Sequence, residues 1–353
     1  MRALKTGISI IAGLLGIAQT AAAGELTAQR QIIFPIPQFH IIPGPRSIAA
    51  TSGDTVVALT NGEIYATDQN GNGRDLTIFT NNEPLAITGY NSAGYNHVVV
   101  ATADGNIWDL GYSPGTTATI APRQIGYVQQ SWGPTKSLSA WVDAKGYTNI
   151  AVLESAPAGG FLWVMQNAPG LLSTPLTLLG SLPGSASDFP IDVAGQDSIV
   201  GGSNLNQVEV AYSSHIERFC WPDAQTTTLT SVQQASDVYW PTASGAVSFS
   251  ILGQSPWSNE NGIATASDLW TWAWDWYSIG YTSINSPGVT FDQQMSFPAA
   301  PTSIVGVNQA YGEIVYDVAL ANGAVWQVTA PISFTSSNDT VGTGSGRQLF
   351  QIW

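Results

Sequence analysis

The chain has 353 residues, of which 44% are hydrophobic and only 10% charged, where an ordinary soluble domain carries roughly 25% charged residues. With 36 Gly and 20 Pro as well, this excludes a disordered chain, a coiled coil and a charged helical bundle, and predicts an all-β protein with many turns. The formal charge of −14 argues against nucleic acid or an anionic membrane as partner, because phosphate binding needs Lys and Arg, whereas neutral sugars and metal cations stay compatible.

Residues 1–23 read as a secretory signal. Arg2 and Lys5 form the basic n-region. Ile8 to Ala18 form an apolar run too short to span a bilayer, which takes roughly 20 residues. Ala21-Ala22-Ala23 fits a cleavage site, so the expected mature protein is one domain over 24–353, secreted to an extracellular or periplasmic space. Gly24 and not a cysteine directly follows that site, so no lipid anchor there and no membrane contact is expected once the leader is gone. Cys220 is the single cysteine, so no intrachain disulfide forms, and it reads as a small buried hydrophobe.

Three nine-residue segments align without gaps. They are Val57 to Tyr65, with Asn61-Gly62; Val100 to Trp108, with Asp104-Gly105; and Val318 to Trp326, with Asn322-Gly323. Asn-Gly or Asp-Gly between β-rich runs predicts a hairpin, because both turn residues must tolerate positive φ. Each return strand then carries an aromatic: Tyr65, Trp108 or Trp326. Weaker copies turn near Gly160, Asn206 and Asp268, for a mean period of about 52 residues.

A second series of apolar strands with small residues precedes the hairpins: 47–50, 85–88, 138–141, 189–192, 238–241 and 303–306. Ala186-Ser187-Asp188 and Ala235-Ser236-Asp237 introduce two of them. Small residues suit the crowded inner strand of a radial array. The expected fold is therefore a single-domain β-propeller of six four-stranded blades, or seven if residues 233–285 hold two. A pair of β-sandwiches is the alternative. The end segments 31–34 and 348–353 are expected to share the closing blade.

Thirteen Trp and 12 Tyr supply flat faces that match the C–H face of a sugar, and a neighbouring carboxylate matches its polar edge. The candidate ligand-binding residues are Trp108 with Asp109, Trp132, Trp141 with Asp143, and Trp240. Return-strand aromatics also read as packing between blades. At period two, Trp270, Trp272, Trp274 and Trp276 share one face of a strand, as a stacking platform, a partner surface or inter-blade core. Asp68, Asn70 and Asn72 stand at positions 1, 3 and 5 of a loop with Gly73 at 6, the opening of a calcium loop, although Phe79 occupies position 12 where a Glu belongs.

Nucleophile-elbow, metalloprotease, P-loop and dinucleotide motifs are absent. Asp188, Asp192 and Asp237 would lie at inner-strand starts, either converging in the central funnel as hydrolase carboxylates or capping a solvated channel.

The segment His97 to Leu110, with its Asp-Gly-x-apolar-aromatic return strand, resembles the repeats of lectin-like β-propellers, the fucose-binding and tectonin types among them. Fucose-binding members place sugars between blades with an Arg, a carboxylate and a Trp or Tyr. Here Arg46, Arg74, Arg123, Arg218 and Arg347 read as recurring at no common repeat position, so a repeated arginine site is not expected. The reading is a secreted, non-catalytic carbohydrate-binding propeller. A scaffold for an extracellular protein and a propeller glycoside hydrolase are the alternatives.

Overall fold

The computed structural model describes residues 45–352, leaving out 69–72, 78–81, 115–118, 130–132, 157–158, 169–174, 201–202, 224–232, 240–245, 256–257, 266, 276–291, 308–312, 335–338 and 342–343. Every described element is a strand. The first sheet holds β1 to β4 (Pro45–Thr51, Asp54–Leu59, Ile64–Asp68, Gly73–Asp75). The second holds β5 to β8 (Pro84–Ser92, Tyr95–Thr102, Asn106–Tyr112, Arg123–Tyr127). The third holds β9 to β12 (Thr135–Val142, Thr148–Ala156, Gly159–Asn167, Thr177–Pro183). The fourth holds β13 to β16 (Pro190–Val200, Ser203–Tyr212, His215–Pro222, Gln233–Tyr239). The fifth holds β17 to β20 (Ser248–Ser255, Ser258–Ala264, Asp268–Asp275, Asp292–Ser296). The last sheet holds β21 to β25 (Pro301–Gly306, Glu313–Leu320, Ala324–Phe334, Asp339–Val341, Ser345–Gln351), with both β24 and β25 paired to β23. All neighbours are antiparallel meanders, the pattern of a propeller blade: five four-stranded blades and a sixth sheet of five strands.

Local chemistry sets the hairpins. Gly62, Gly105 and Gly323 have φ of 96°, 88° and 84°, a region that only glycine enters without strain. Before each, Asn61, Asp104 and Asn322 accept the amide two residues on, at 3.1, 3.1 and 3.2 Å.

The first strands of the sheets line an axial cavity of about 140 Å³, and all six contribute. Each is stitched to the next by an amide donating to a side-chain oxygen. Ile87 donates to Ser47 Oγ (3.2 Å), Ala140 to Thr88 Oγ1 (3.2 Å) and Val193 to Ser137 Oγ (3.3 Å). Phe249 donates to Asp192 Oδ2 (2.8 Å), Ile304 to Ser248 Oγ (3.1 Å) and Ile48 to Ser303 Oγ (3.2 Å). The last of these closes the ring. Five small hydroxyls and one carboxylate thus satisfy inner-strand amides that have no neighbouring strand in their own sheet.

Apolar side chains fill every seam, one cluster between each pair of adjacent sheets. The third-strand aromatic faces the preceding sheet each time: Tyr65, Trp108, Trp163, Phe219, Trp270 and Trp326. Burying a large apolar side chain contributes about 2–3 kcal/mol, so this one position carries much of the cohesion of the ring. Trp272 and Trp274 lie on β19 beside Trp270, but their side chains, and Trp276 entirely, fall outside the described residues.

Three sequence expectations need correction. The described residues of 233–285 do not form two blades, because Gln233–Tyr239 is the outer strand of the fourth sheet and Ser248–Ser255 opens the fifth. Asp237 therefore lies on an outer strand and not at the funnel. The turn expected near Asn206 is the middle of β14, and the hairpin that matches the others joins Tyr212 to His215. Asn206, Gln207 and Glu209 made that stretch look solvated, yet all three are fully buried between sheets. In the closing sheet, Ser345–Gln351 pairs with β23, while 31–34 lies outside the described residues.

Candidate functional site

Strand register brings three arginines to one position. Opposite Arg74, Arg123 and Arg347 on the outer strands stand Ala66, Asp109 and Gln327. Those three residues directly follow Tyr65, Trp108 and Trp326, the aromatics of the aligned repeats. Side chains alternate along a strand, so each aromatic faces the preceding sheet and each arginine faces the following one. The arginines stand in three consecutive clefts: between the last and first sheets, the first and second, and the second and third. Sequence comparison missed this because loops of different length separate each outer strand from its repeat.

In the cleft between the second and third sheets, Asp109 is buried while the Arg123 side chain is 49% exposed, its Nη2 lying 3.9 Å from Asp109 Oδ2. His97 Nδ1 is 3.0 Å from Asp109 Oδ1, so the ring fits as an Nδ1–H donor held by the carboxylate. The Tyr90 ring stacks on His97 at 4.6 Å with the planes 10° apart. Burial, reinforced by the Asp109 charge, pushes the Tyr90 phenol well above its ordinary value. The product is an open guanidinium beside a fixed carboxylate and a stacked aromatic pair.

Between the first and second sheets, Arg74 lies 4.5 Å over the Tyr112 ring and donates to the Ser113 carbonyl at 3.3 Å. The Tyr112 hydroxyl lies 3.0 Å from Thr51 Oγ1, and burial pushes that phenol up to about 12. Between the last and first sheets, Arg347 Nη2 donates to Gln327 Oε1 at 2.8 Å, and Gln327 Nε2 donates to Asp317 Oδ1 at 3.1 Å. Thr55 Oγ1 donates to Asp317 Oδ2 at 2.5 Å. Burial outweighs these contacts and raises Asp317 to about 6.

The sequence-derived site residues scatter. Trp108 packs partly buried toward the first sheet while Asp109 opens toward the third, so the two serve different clefts. Trp141 and Asp143 are joined through Asn206 in the seam between the third and fourth sheets. Trp141 is 6% exposed, packs closely against Gly195, and donates through Nε1 to Asn206 Oδ1 at 2.8 Å. Asn206 Nδ2 in turn reaches Asp143 Oδ2 at 3.5 Å, and Asp143 Oδ1 accepts the Lys145 and Tyr147 amides at 3.0 and 2.9 Å. Asp68 ends β3. Asn70, Asn72, Trp132 and Trp240 lie outside the described residues.

Of the other acids, Asp188 pairs with His215 Nδ1 at 3.1 Å. Asp192 lines the axial cavity and accepts the Ser137 and Ser248 hydroxyls and the Val193 and Phe249 amides. The sequence offered no signal for His97 as a partner of Asp109, since twelve residues separate them.

No family model matches the chain, and no curated protein matches it. Among solved structures, the chain is similar to a point mutant of the Aleuria aurantia lectin in complex with Fucα1-6GlcNAc. That match has 12% identity and a TM-score of 0.51, and covers 86% of this chain and 95% of the lectin. A second similar structure is BBS1N in complex with ARL6DN, at 13% identity and a TM-score of 0.48, covering 83% of this chain and 79% of that one. At such identities the likeness is one of fold, and the chain shares the propeller arrangement of a lectin.

Proposed function

We propose that this chain is a six-bladed, secreted lectin-like propeller, mature from Gly24, that binds neutral carbohydrate in clefts between its blades. The observation that carries this reading is the recurrence of Arg74, Arg123 and Arg347 at one register position in three consecutive clefts. A guanidinium presents several donors in a plane and suits the vicinal hydroxyls of a sugar, while an adjacent ring supplies the apolar face. Asp109 with His97 and Tyr90 adds the carboxylate and the aromatic pair in the best-furnished cleft. The fold neighbour that carries Fucα1-6GlcNAc makes fucosylated glycans the first ligands to try.

The test is a glycan array with the mature chain, followed by calorimetric titration with the best ligand. The expected stoichiometry is three sites per chain, falling to two in Arg123→Gln, with a loss above tenfold at the altered cleft, which corresponds to about 1.5–3 kcal/mol for a charge-assisted hydrogen bond. Absence of any glycan binding sinks the lectin reading and leaves a propeller scaffold for an extracellular protein.

A further inference from the structure

At the rim of the seam between the third and fourth sheets, three carboxylates from separate pieces of chain lie within electrostatic reach of one another. Asp143 sits in the turn after β9, Asp197 on β13, and Asp223 just past the end of β15. Asp143 is fully engaged: besides the Lys145 and Tyr147 amides, it accepts from Asn149 Nδ2 at 3.4 Å and Asn206 Nδ2 at 3.5 Å. Asp223 is not. It is 1% exposed, and neither carboxylate oxygen has a hydrogen-bond donor. Asp197 Oδ1 is buried in the same condition. Lys145, the cation of the turn, gives its Nζ to the Asp223 main-chain carbonyl at 3.2 Å and not to the carboxylate.

A buried carboxylate without a donor is untenable as a bare charge; it takes a proton, a cation or a donor. Among the described residues no group of three acids, histidines or cysteines is disposed to hold a metal ion. We propose that Asp197 and Asp223, both carried by the fourth sheet, share a proton, and that this proton lets the rim of that sheet pack beside the Asp143 carboxylate of the third. A neutral acid donates its O–H to the facing carboxylate, so one proton gives both orphaned groups a partner.

The electrostatics agree with the geometry. Burial, with the Asp223 and Asp143 charges behind it, pushes Asp197 up to about 7, while the Ala144 amide pulls the other way. Burial and Asp143 also raise Asp223, against Lys145. The unfolded carboxyl titrates near about 4. The folded form therefore keeps a proton that the unfolded form has lost, and stability is full below about pH 4 and declines as pH rises through about 7. Above that pH two like charges stand side by side on the fourth sheet and also repel Asp143, at the seam that the Trp141–Asn206 bond spans. The device is independent of the carbohydrate reading.

The experiment is thermal unfolding of the full mature chain between pH 5 and 8, wild type against Asp223→Asn. Asparagine imitates the protonated acid and cannot ionise. The wild-type midpoint should fall by several degrees more than the variant's across that range. Should Asp223→Asn fail to fold, Asp197→Asn and the protonated-carboxyl infrared band of the wild type at pH 6 carry the test; that band should vanish by pH 8. An unchanged pH slope in a folded variant, or no such band, overturns the proposal. So does a rise in the wild-type midpoint on adding calcium chloride at pH 8 that the variant lacks, which would assign the cluster to a cation.

Discussion

The Ser303 hydroxyl accepts the Ile48 amide at 3.2 Å, joining residues 255 positions apart and closing the ring of inner strands. Ser303→Ala should leave that amide without an acceptor inside the seam and cost about 1 kcal/mol, read as a lower denaturation midpoint with an unchanged slope. Asp192→Ala should cost about 3 kcal/mol, because four donors converge on that one carboxyl. Wild-type stability in both variants would show that the ring is not held by this stitch.

Two arginines should behave oppositely. Arg123 is half exposed, and its replacement by Gln should change stability by less than about 0.5 kcal/mol while removing a binding site. Arg218 is fully buried against Glu209, which also accepts from Gln207 at 2.6 Å. Arg218→Ala leaves that carboxylate buried and unmatched, at a cost of about 3–5 kcal/mol. Urea unfolding of the two variants side by side measures the contrast.

Gly195 marks where an inner strand meets an aromatic face. A Cβ there would lie 2.2 Å from the Trp141 ring. Gly195→Ala should therefore push Trp141 off Asn206, costing about 1–3 kcal/mol and shifting the tryptophan emission. A variant of wild-type stability and emission would mean that the indole has room to retreat.

Asp317 gives a second pH signature, distinct from the Asp197–Asp223 pair. Its folded value, about 6, lies above the unfolded carboxyl value. Its contribution is complete below about pH 4 and is lost as pH rises through about 6. Asp317→Asn should flatten the stability profile between pH 4 and 6 and leave the slope near pH 7 in place. A profile unchanged below pH 6 contradicts this assignment.

Most of the blade plan was legible. Asn61-Gly62, Asp104-Gly105 and Asn322-Gly323 name their own hairpins, because positive φ admits few residues. The inner strands share a subtler signature: a small or acidic residue before an apolar one, as in Ser47-Ile48, Ser137-Leu138, Asp192-Val193, Ser248-Phe249 and Ser303-Ile304. It was masked in the fifth sheet because Ala235-Ser236-Asp237 echoes Ala186-Ser187-Asp188 by coincidence of composition. β14 misled for the opposite reason: its Asn206, Gln207 and Glu209 look like a solvated turn, and only partners on β9 and β15 make their burial tolerable.

The sequence by itself determined the all-strand architecture, the Asn-Gly and Asp-Gly hairpin turns and the aromatics Tyr65, Trp108 and Trp326 of three seams, since these depend on neighbours a few residues apart and on side-chain alternation. The tertiary structure alone decided which arginines share a register, that His97 holds Asp109, and that Asp143, Asp197 and Asp223 lie within electrostatic reach of one another. Those relationships depend on bulges and on loops of variable length between strands. Such offsets leave no trace in local periodicity, yet they choose which side chains face one another across a cleft.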